Sequence, residues 1–432
     1  MSEKTSRRAW MAGIGGATAA VSFGTPLLQL NGAQDAPGRK VTVGVMGLNR
    51  GLALAKTLGK TPGVVVKYVA ETDEEKGQAG KAAIEKDTQQ TPVVLNDFRK
   101  MLDDPDLDAL VVAAPNHWHA PATILGCAAG KHVYVEKPCS HNPWEGETMV
   151  QAARKHKRIV QMGNHRRSAA SFQTAMKMLK EGAIGRVYLS RSWYDNARGT
   201  IKTGKQVPVP AGLDYDMWQG PAPRMAYYDN RIPYQWHWFW HWGNGELGNN
   251  GVHSIDISRW GLGVDYPVRV TSAGGRYAFK DDQETPDTNT VTFEFEGDRA
   301  IVWDGKSCNK HGVGGDAFIA FYGTGGTMTL TEGGGYKLYD DKDKLVKEES
   351  GKWSLADHIS NFIDAIRNDD PQRLNSEILE GHKSTLLCHL GNIAYRSGRV
   401  LNCRPADGHI IADDKAMALW KRAYEPGWEP KV

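Results

Sequence analysis

The stretch KVTVGVMGLNRG, from Lys40 to Gly51, decides the fold of the first half of the chain. Lys40–Met46 reads as a short apolar strand, and Gly47-Leu48-Asn49-Arg50-Gly51 turns it into a helix that runs to about Leu58. Glycine at such a turn lets the backbone approach a phosphate closely and aims the amide end of the helix at it. Asn49 stands where a second glycine is usual, and the loop is one residue short. Asn tolerates left-handed backbone better than most residues, so the turn survives.

Outward from this turn, VVVKYVA (Val64–Ala70) is a second strand that ends at Glu71, twenty residues beyond Gly51. LDALVVAAP (Leu107–Pro115), KHVYVE (Lys131–Glu136) and RIVQMG (Arg158–Gly163) read as later strands. Strands alternating with helical patterns predict a doubly wound parallel sheet, a Rossmann domain over residues 38–165. An acid at the end of the second strand accepts both ribose hydroxyls and repels a 2′-phosphate. Glu71 therefore points to NAD rather than NADP.

The chain has 432 residues, 53 Lys plus Arg against 50 Asp plus Glu, and a net charge of +3, enough for two domains. That balance argues against a nucleic-acid partner, which needs a concentrated basic face. Five cysteines with no C-x-x-C exclude a disulfide-built scaffold. Residues 1–37 read as a signal and linker: Arg7-Arg8 after Ser6, then a weakly apolar run from Ala9 to Leu30, resembles a twin-arginine export signal. A general secretion signal or an N-terminal anchor is the alternative. Loss of residues 1–33 lowers the net charge from +3 to +1. No later segment has the length of apolar sequence that spans a membrane, so the expected location is periplasmic or otherwise exported.

Three further segments carry a family resemblance: Ala114-Pro115-Asn116-His117-Trp118-His119, Glu136-Lys137-Pro138, and Gly251-Val252-His253-Ser254-Ile255-Asp256. Together, in this order from Lys40 to about Arg399, they resemble the glucose–fructose oxidoreductase, inositol dehydrogenase and rhizopine-catabolism (Gfo/Idh/MocA) family. The resemblance implies a C-terminal α/β domain over residues 166–400 with a large open, mostly antiparallel sheet, followed by a tail over 401–432. It also implies a homodimer or homotetramer formed through that sheet. RVYLSRSWY, VRVTSAGGRYAF, NTVTFEFEG, RAIVWDG, AFIAFYG and GTMTLTEGG supply strand-like runs, and Ser354–Arg367 and Ser376–Arg396 read as amphipathic helices.

The resemblance also assigns roles. Lys137 matches the family's E-K-P lysine beside nicotinamide and substrate hydroxyl, and His253 matches its catalytic histidine, the expected general base. The family commonly has Asp four residues before that histidine. This chain has Asn249, which cannot carry a proton, and Glu246 and Asp256 are the nearby carboxylates that can take its place. Expected nucleotide contacts are Gly47, Asn49, Arg50, Gly51, Glu71, Pro115, Asn116, His119, Glu136 and Lys137. Expected substrate contacts are His117, His165, Arg166, Tyr194, Trp236, His237 and His253.

Half of the 14 tryptophans lie between Trp193 and Trp260, four of them in Trp236–Trp242. Such rings stack on sugar faces or fill a core. His237 and His241 are spaced i, i+4, but without H-E-x-x-H or further ligands no metal site is expected. The expected activity is NAD-dependent hydride transfer at a carbinol carbon of a sugar. Free NAD is scarce outside the cytoplasm, which favours a tightly held, internally recycled cofactor. Two alternatives stand beside it: an NAD-dependent glycosidase working by transient oxidation, elimination and re-reduction, and a non-catalytic sugar or nucleotide sensor.

Overall fold

The computed structural model describes residues 39–432; the export-signal reading falls on residues outside these. The first layer is built from β1 (Val41–Met46), α1 (Arg50–Lys60), β2 (Val64–Ala70), α2 (Glu74–Thr88), β3 (Val93–Leu95) and α3 (Arg99–Leu102). It continues with β4 (Ala109–Val112), α4 (Asn116–Ala128), β5 (His132–Val135), α5 (Pro143–Lys155) and β6 (Val160–Met162). The six strands form one parallel sheet in the order β3-β2-β1-β4-β5-β6, with the order reversing between β1 and β4. Ligands in such sheets sit outside the carboxyl ends of the strands at that reversal.

Next come α6 (Ala170–Lys180), β7 (Val187–Ala197), α7 (Tyr215–Gln219), α8 (Val252–Leu262), β8 (Arg269–Gly275), β9 (Thr288–Phe295), β10 (Arg299–Lys306) and β11 (Cys308–Asn309). They are followed by β12 (Ala317–Gly323), β13 (Gly326–Thr331), β14 (Tyr336–Tyr339), β15 (Leu345–Glu349), α9 (Leu355–Asn368), α10 (Ile378–Ser397), β16 (Leu401–Asn402) and α11 (Asp414–Met417). The second sheet runs β15-β14-β13-β12-β7-β10-β9-β8-β16, with β11 on β7, and only the β7–β10 pair is parallel. Alternation decides its buried face: Val291, Phe293 and Phe295 of β9 and Ile301 and Trp303 of β10 point into one core with α8 and α10.

Three segments differ from the sequence reading. The strand expected over Leu107–Pro115 stops at Val112, because Pro115 caps α4 and Asn116 opens it. Helix α9, expected with the second domain, packs Ile359, Phe362 and Ile363 against Val41, Val43 and Leu54 of the nucleotide-binding layer. The run 401–432, expected as a tail, adds β16 to the edge of the sheet, buries Trp420 in the second core and sets Trp428 edge-on to Trp118 at 5.3 Å. Among the described residues no helix is long and apolar enough to cross a membrane.

The placement of α9 makes the Rossmann core depend on a helix more than 300 residues downstream of β1. Phe362→Ala deletes a fully buried ring there. It is expected to cost about 3–5 kcal/mol in urea unfolding and to lower the midpoint of NAD-stabilised melting with it.

Candidate active site

A cleft of about 430 Å³ opens at the carboxyl ends of β1, β2, β4 and β5, where the strand order reverses. Its floor begins with the β1–α1 turn. Gly47 has φ +85°, and a Cβ there would lie 2.7 Å from the Ala113 carbonyl oxygen, so only glycine fits. No side chain caps the first turn of α1 at Asn49. The unpaired amides of that turn are thus open to a pyrophosphate. Glu71 accepts from the Leu48 amide at 2.9 Å and from the Thr72 amide at 3.0 Å, and meets Lys76 Nζ at 3.1 Å. The turn, the open helix end and this acid fit an adenine dinucleotide.

At the other end of the cleft, β5 delivers Glu136 and Lys137. Glu136 accepts from Arg50 Nε at 3.1 Å, which ties the strand end to α1. Lys137 Nζ donates to the Asn249 carbonyl at 2.7 Å and to Asn249 Oδ1 at 2.9 Å. Asn249 lies in a π-helical turn, Leu247–Gly251, that precedes α8. The widened turn breaks the i→i+4 ladder, which leaves its carbonyl free to accept from a side chain. Neither acceptor is charged, so burial wins and pushes the Lys137 ammonium down to about 8.

One helical turn past Asn249, His253 faces the same space with no hydrogen bond to the protein among the described residues. Burial, then the Lys137 and Arg166 charges, holds its pKa well below the usual imidazole range. His165 lies 5.4 Å from the His253 ring and 4.2 Å from Trp353. His237 stacks on Trp236 at 3.6 Å. Burial pushes both histidines down to about 3. Three neutral imidazoles therefore surround one readily deprotonated lysine.

Of the expected nucleotide and substrate residues, Gly47, Asn49, Arg50, Glu71, Pro115, Asn116, His119, Glu136, Lys137, His165, Trp236, His237, Asn249 and His253 line this cleft. His119 lies between the Ala114 and Pro138 carbonyls, which engage both ring nitrogens. Four others do not line it. Gly51 packs α1 on the sheet, where a Cβ would meet Val45 and Ala113 at 3.1 and 3.2 Å. His117 lies about 100° round α4 from Asn116 and bonds the Trp218 carbonyl at 2.9 Å in the interior. Arg166 is buried over the Phe318 ring and pairs with Glu332. Tyr194 accepts from Arg198 and Asn196 in the layer behind.

The two candidate substitutes for the missing aspartate are also engaged elsewhere. Asp256 is locked by Arg167 at 2.8 and 2.9 Å and by Ser384. Glu246 is tied to Arg198 and Asn250. The tryptophan run divides: Trp238 and Trp242 fill a small core with Trp218 and Tyr215, while Trp236 reaches the cleft from the edge of that core. Among the described residues no group of His, Cys, Asp and Glu is arranged to hold a metal.

Sequence reasoning missed the strap between β7 and α8. Its Gly212–Asp214 run pairs with the start of α2 through Glu74 N–Gly212 O at 3.0 Å and Asp214 N–Thr72 O at 2.9 Å. Leu213, Met217 and Trp218 thereby cover the end of the cleft where Glu71 lies. Farther along, Ile232, Pro233 and Tyr234 cover the nucleotide turn, and Asn49 Nδ2 donates to the Pro233 carbonyl at 3.4 Å. The strap has almost no regular structure and so no periodicity to read.

Glu71→Ala removes the charge that repels a 2′-phosphate and leaves Lys76 unpaired beside the ribose position. The ratio of NADP to NAD affinity is expected to rise by about tenfold or more, the equivalent of about 1.4 kcal/mol, in parallel titrations of nucleotide-stripped protein.

Residues 41–164 match the domain described as an oxidoreductase family NAD-binding Rossmann fold, and residues 191–430 match the C-terminal alpha/beta domain of the same family. The chain is 23% identical over 339 residues to the uncharacterized oxidoreductase YrbE of Bacillus subtilis, across 76% of this chain and 87% of that one. It is 32% identical over 171 residues to levoglucosan dehydrogenase of Pseudarthrobacter phenanthrenivorans, across 39% of this chain but only 36% of the relative. The aldose-aldose oxidoreductase of Caulobacter crescentus superposes with a TM-score of 0.64 at 18% identity, over 84% of this chain and 100% of that one. The chain thus belongs to the Gfo/Idh/MocA oxidoreductase family, with an NAD-binding Rossmann domain and the family's C-terminal α/β domain.

Proposed function

We propose that this protein oxidises a carbinol carbon of a sugar and keeps NAD bound through the cycle, returning the hydride to a second sugar or to the same one. The observation that carries the reading is the meeting of Lys137 and His253 in one cleft with the nucleotide turn. Bound NAD supplies the hydride acceptor. Everything else falls to the chain.

A neutral Lys137 amine donates its two N–H groups to the Asn249 carbonyl and Oδ1, which leaves the lone pair for the substrate hydroxyl proton. The base role expected for His253 therefore moves to Lys137, because burial makes the imidazole a poor proton acceptor. His253, neutral and without a hydrogen-bond partner among the described residues, holds the same hydroxyl oxygen. The stacked Trp236–His237 pair offers a flat ledge to the sugar ring. The strap supports retention of the cofactor, since nucleotide release requires the bonds at Gly212, Asp214 and Pro233 to part. Export through the twin-arginine-like signal with nucleotide already in place belongs to the same reading, as does assembly into a dimer or tetramer through the large sheet.

A redox-neutral glycosidase is the second reading. It is favoured by His165 and His237 lining the cleft beside Lys137, since elimination needs a second group to move a proton at the carbon next to the transient ketone. Assay with sugar pairs and with aryl glycosides separates the two.

Lys137→Met is expected to lower turnover by about 10²–10⁴-fold while the purified protein still carries NAD. Undiminished turnover removes Lys137 from the mechanism. Denaturing the wild-type protein is expected to release close to one NAD per chain, and an empty, rapidly exchanging site would defeat internal recycling.

The pH dependence follows from the working form. The free amine is present above the Lys137 pKa, so kcat/KM is expected to rise with pH along a limb whose midpoint lies near or below about 8 and to level off above it, a positive nicotinamide lowering the limb further. Asn249→Asp places a carboxylate on the ammonium, stabilises the protonated form and moves that limb up by roughly 1–3 units. An unmoved limb assigns the titration to another group.

A further inference from the structure

A second cavity of about 170 Å³ lies apart from the nucleotide cleft, between the start of α5, the end of α10 and the C-terminal run. Arg396, Lys421 and Arg422 line it, and no Asp or Glu does. Lys421 is paired with Glu429 and Arg422 with Glu145, but Arg396 has no ion-pair partner among the described residues and stacks on Trp240 at 4.9 Å. Glu284, the carboxylate that acts on Arg396 from a distance, accepts from the Trp240 amide.

Unspent donors collect at the same place. His141 and Asn142 line the cavity and are 8% and 5% exposed, yet neither His141 ring nitrogen nor Asn142 Nδ2 has a partner. Arg422 Nη1 is likewise buried and unpartnered. Burial and the Arg422 charge hold the His141 imidazole neutral, so it has one N–H to give. Orphaned buried donors are costly, and three stand here: the His141 N–H, Asn142 Nδ2 and Arg422 Nη1. Asn142 also caps α5, whose positive end adds to the field. Orphaned donors beside Arg396, a cation with no ion-pair partner among the described residues, describe an anion site.

We propose that this cavity binds a small oxyanion, either free phosphate or the phosphate or carboxylate group of a small metabolite. Its link to the nucleotide cleft is Asn244, which lines the cavity, bonds the His141 carbonyl at 2.9 Å and accepts from Asn116 of the cleft at 3.0 Å.

The test is calorimetric titration of the full, NAD-saturated protein at constant ionic strength with inorganic phosphate, glucose 6-phosphate and glucuronate. Saturating NAD keeps the pyrophosphate loop out of the measurement. At least one anion is expected to bind at one site per chain, and which one identifies the source of the charged group. Binding is expected to weaken at least tenfold in Arg396→Gln and in Lys421→Gln, both with unchanged melting temperature and NAD content. No saturable binding by any of the three, binding undiminished in both variants, or an anion that displaces NAD would each overturn the proposal.

Discussion

The contact between Lys137 and Asn249 is the constraint on which the rest of the site depends. It joins the end of β5 in the nucleotide-binding layer to the π turn before α8 in the second domain, across 112 residues of sequence. A buried ammonium needs acceptors, and here they are one carbonyl and one amide oxygen. Neighbouring contacts reinforce the register on each side. Arg50 ties Glu136 to α1 behind the lysine, while Glu246 holds Arg198 against the strap in front of it. Moving either domain by an ångström would leave a buried cation or a buried carboxylate without its partner, which is among the costliest defects a structure can carry.

The strap answers a different demand. A Rossmann turn alone leaves the nucleotide open to solvent on one side, and exchange is then fast. Here the covering residues are held by backbone hydrogen bonds to the β2–α2 connection, in the manner of a short added strand, with Asp214 also accepting from Asn96 at 2.8 Å. Apolar covers such as Leu213, Met217 and Trp218 exclude water without competing for the nucleotide's polar groups. A cover anchored on both sides of the turn suits the proposed cycle, in which the cofactor stays bound.

Much of this was legible because strong local signals coincide with the chemistry. The Gly47 turn, Glu71 at the end of β2 and the Glu136-Lys137 pair all sit at strand ends, where a parallel sheet gathers its ligands. His117 was misplaced because the strand before it ends three residues earlier than its apolar run suggests. Helical spacing then turns Asn116 and His119 to the cleft and His117 away from it. Arg166 and Tyr194 carry polar groups suited to a sugar, yet Arg166 is spent on Glu332, which adjoins it only in the folded chain, and Tyr194 on Arg198 four residues along. The strap and the basic cavity were invisible for the same reason. The cavity is assembled from segments far apart in sequence, the strap meets the nucleotide turn only in the folded chain, and neither has a repeat or a motif.

Asn249 leaves room for a non-catalytic sensor, since an amide cannot relay a proton. Its position argues the other way. An aspartate at 2.9 Å from Lys137 Nζ would hold the lysine as a bound cation and favour proton donation. The amide offers the same geometry without the charge, so burial lowers the lysine into the range where it can accept a proton near neutrality. The substitution that looks like a loss in the sequence thus supports, in the fold, a base made from a lysine rather than from a histidine and its carboxylate.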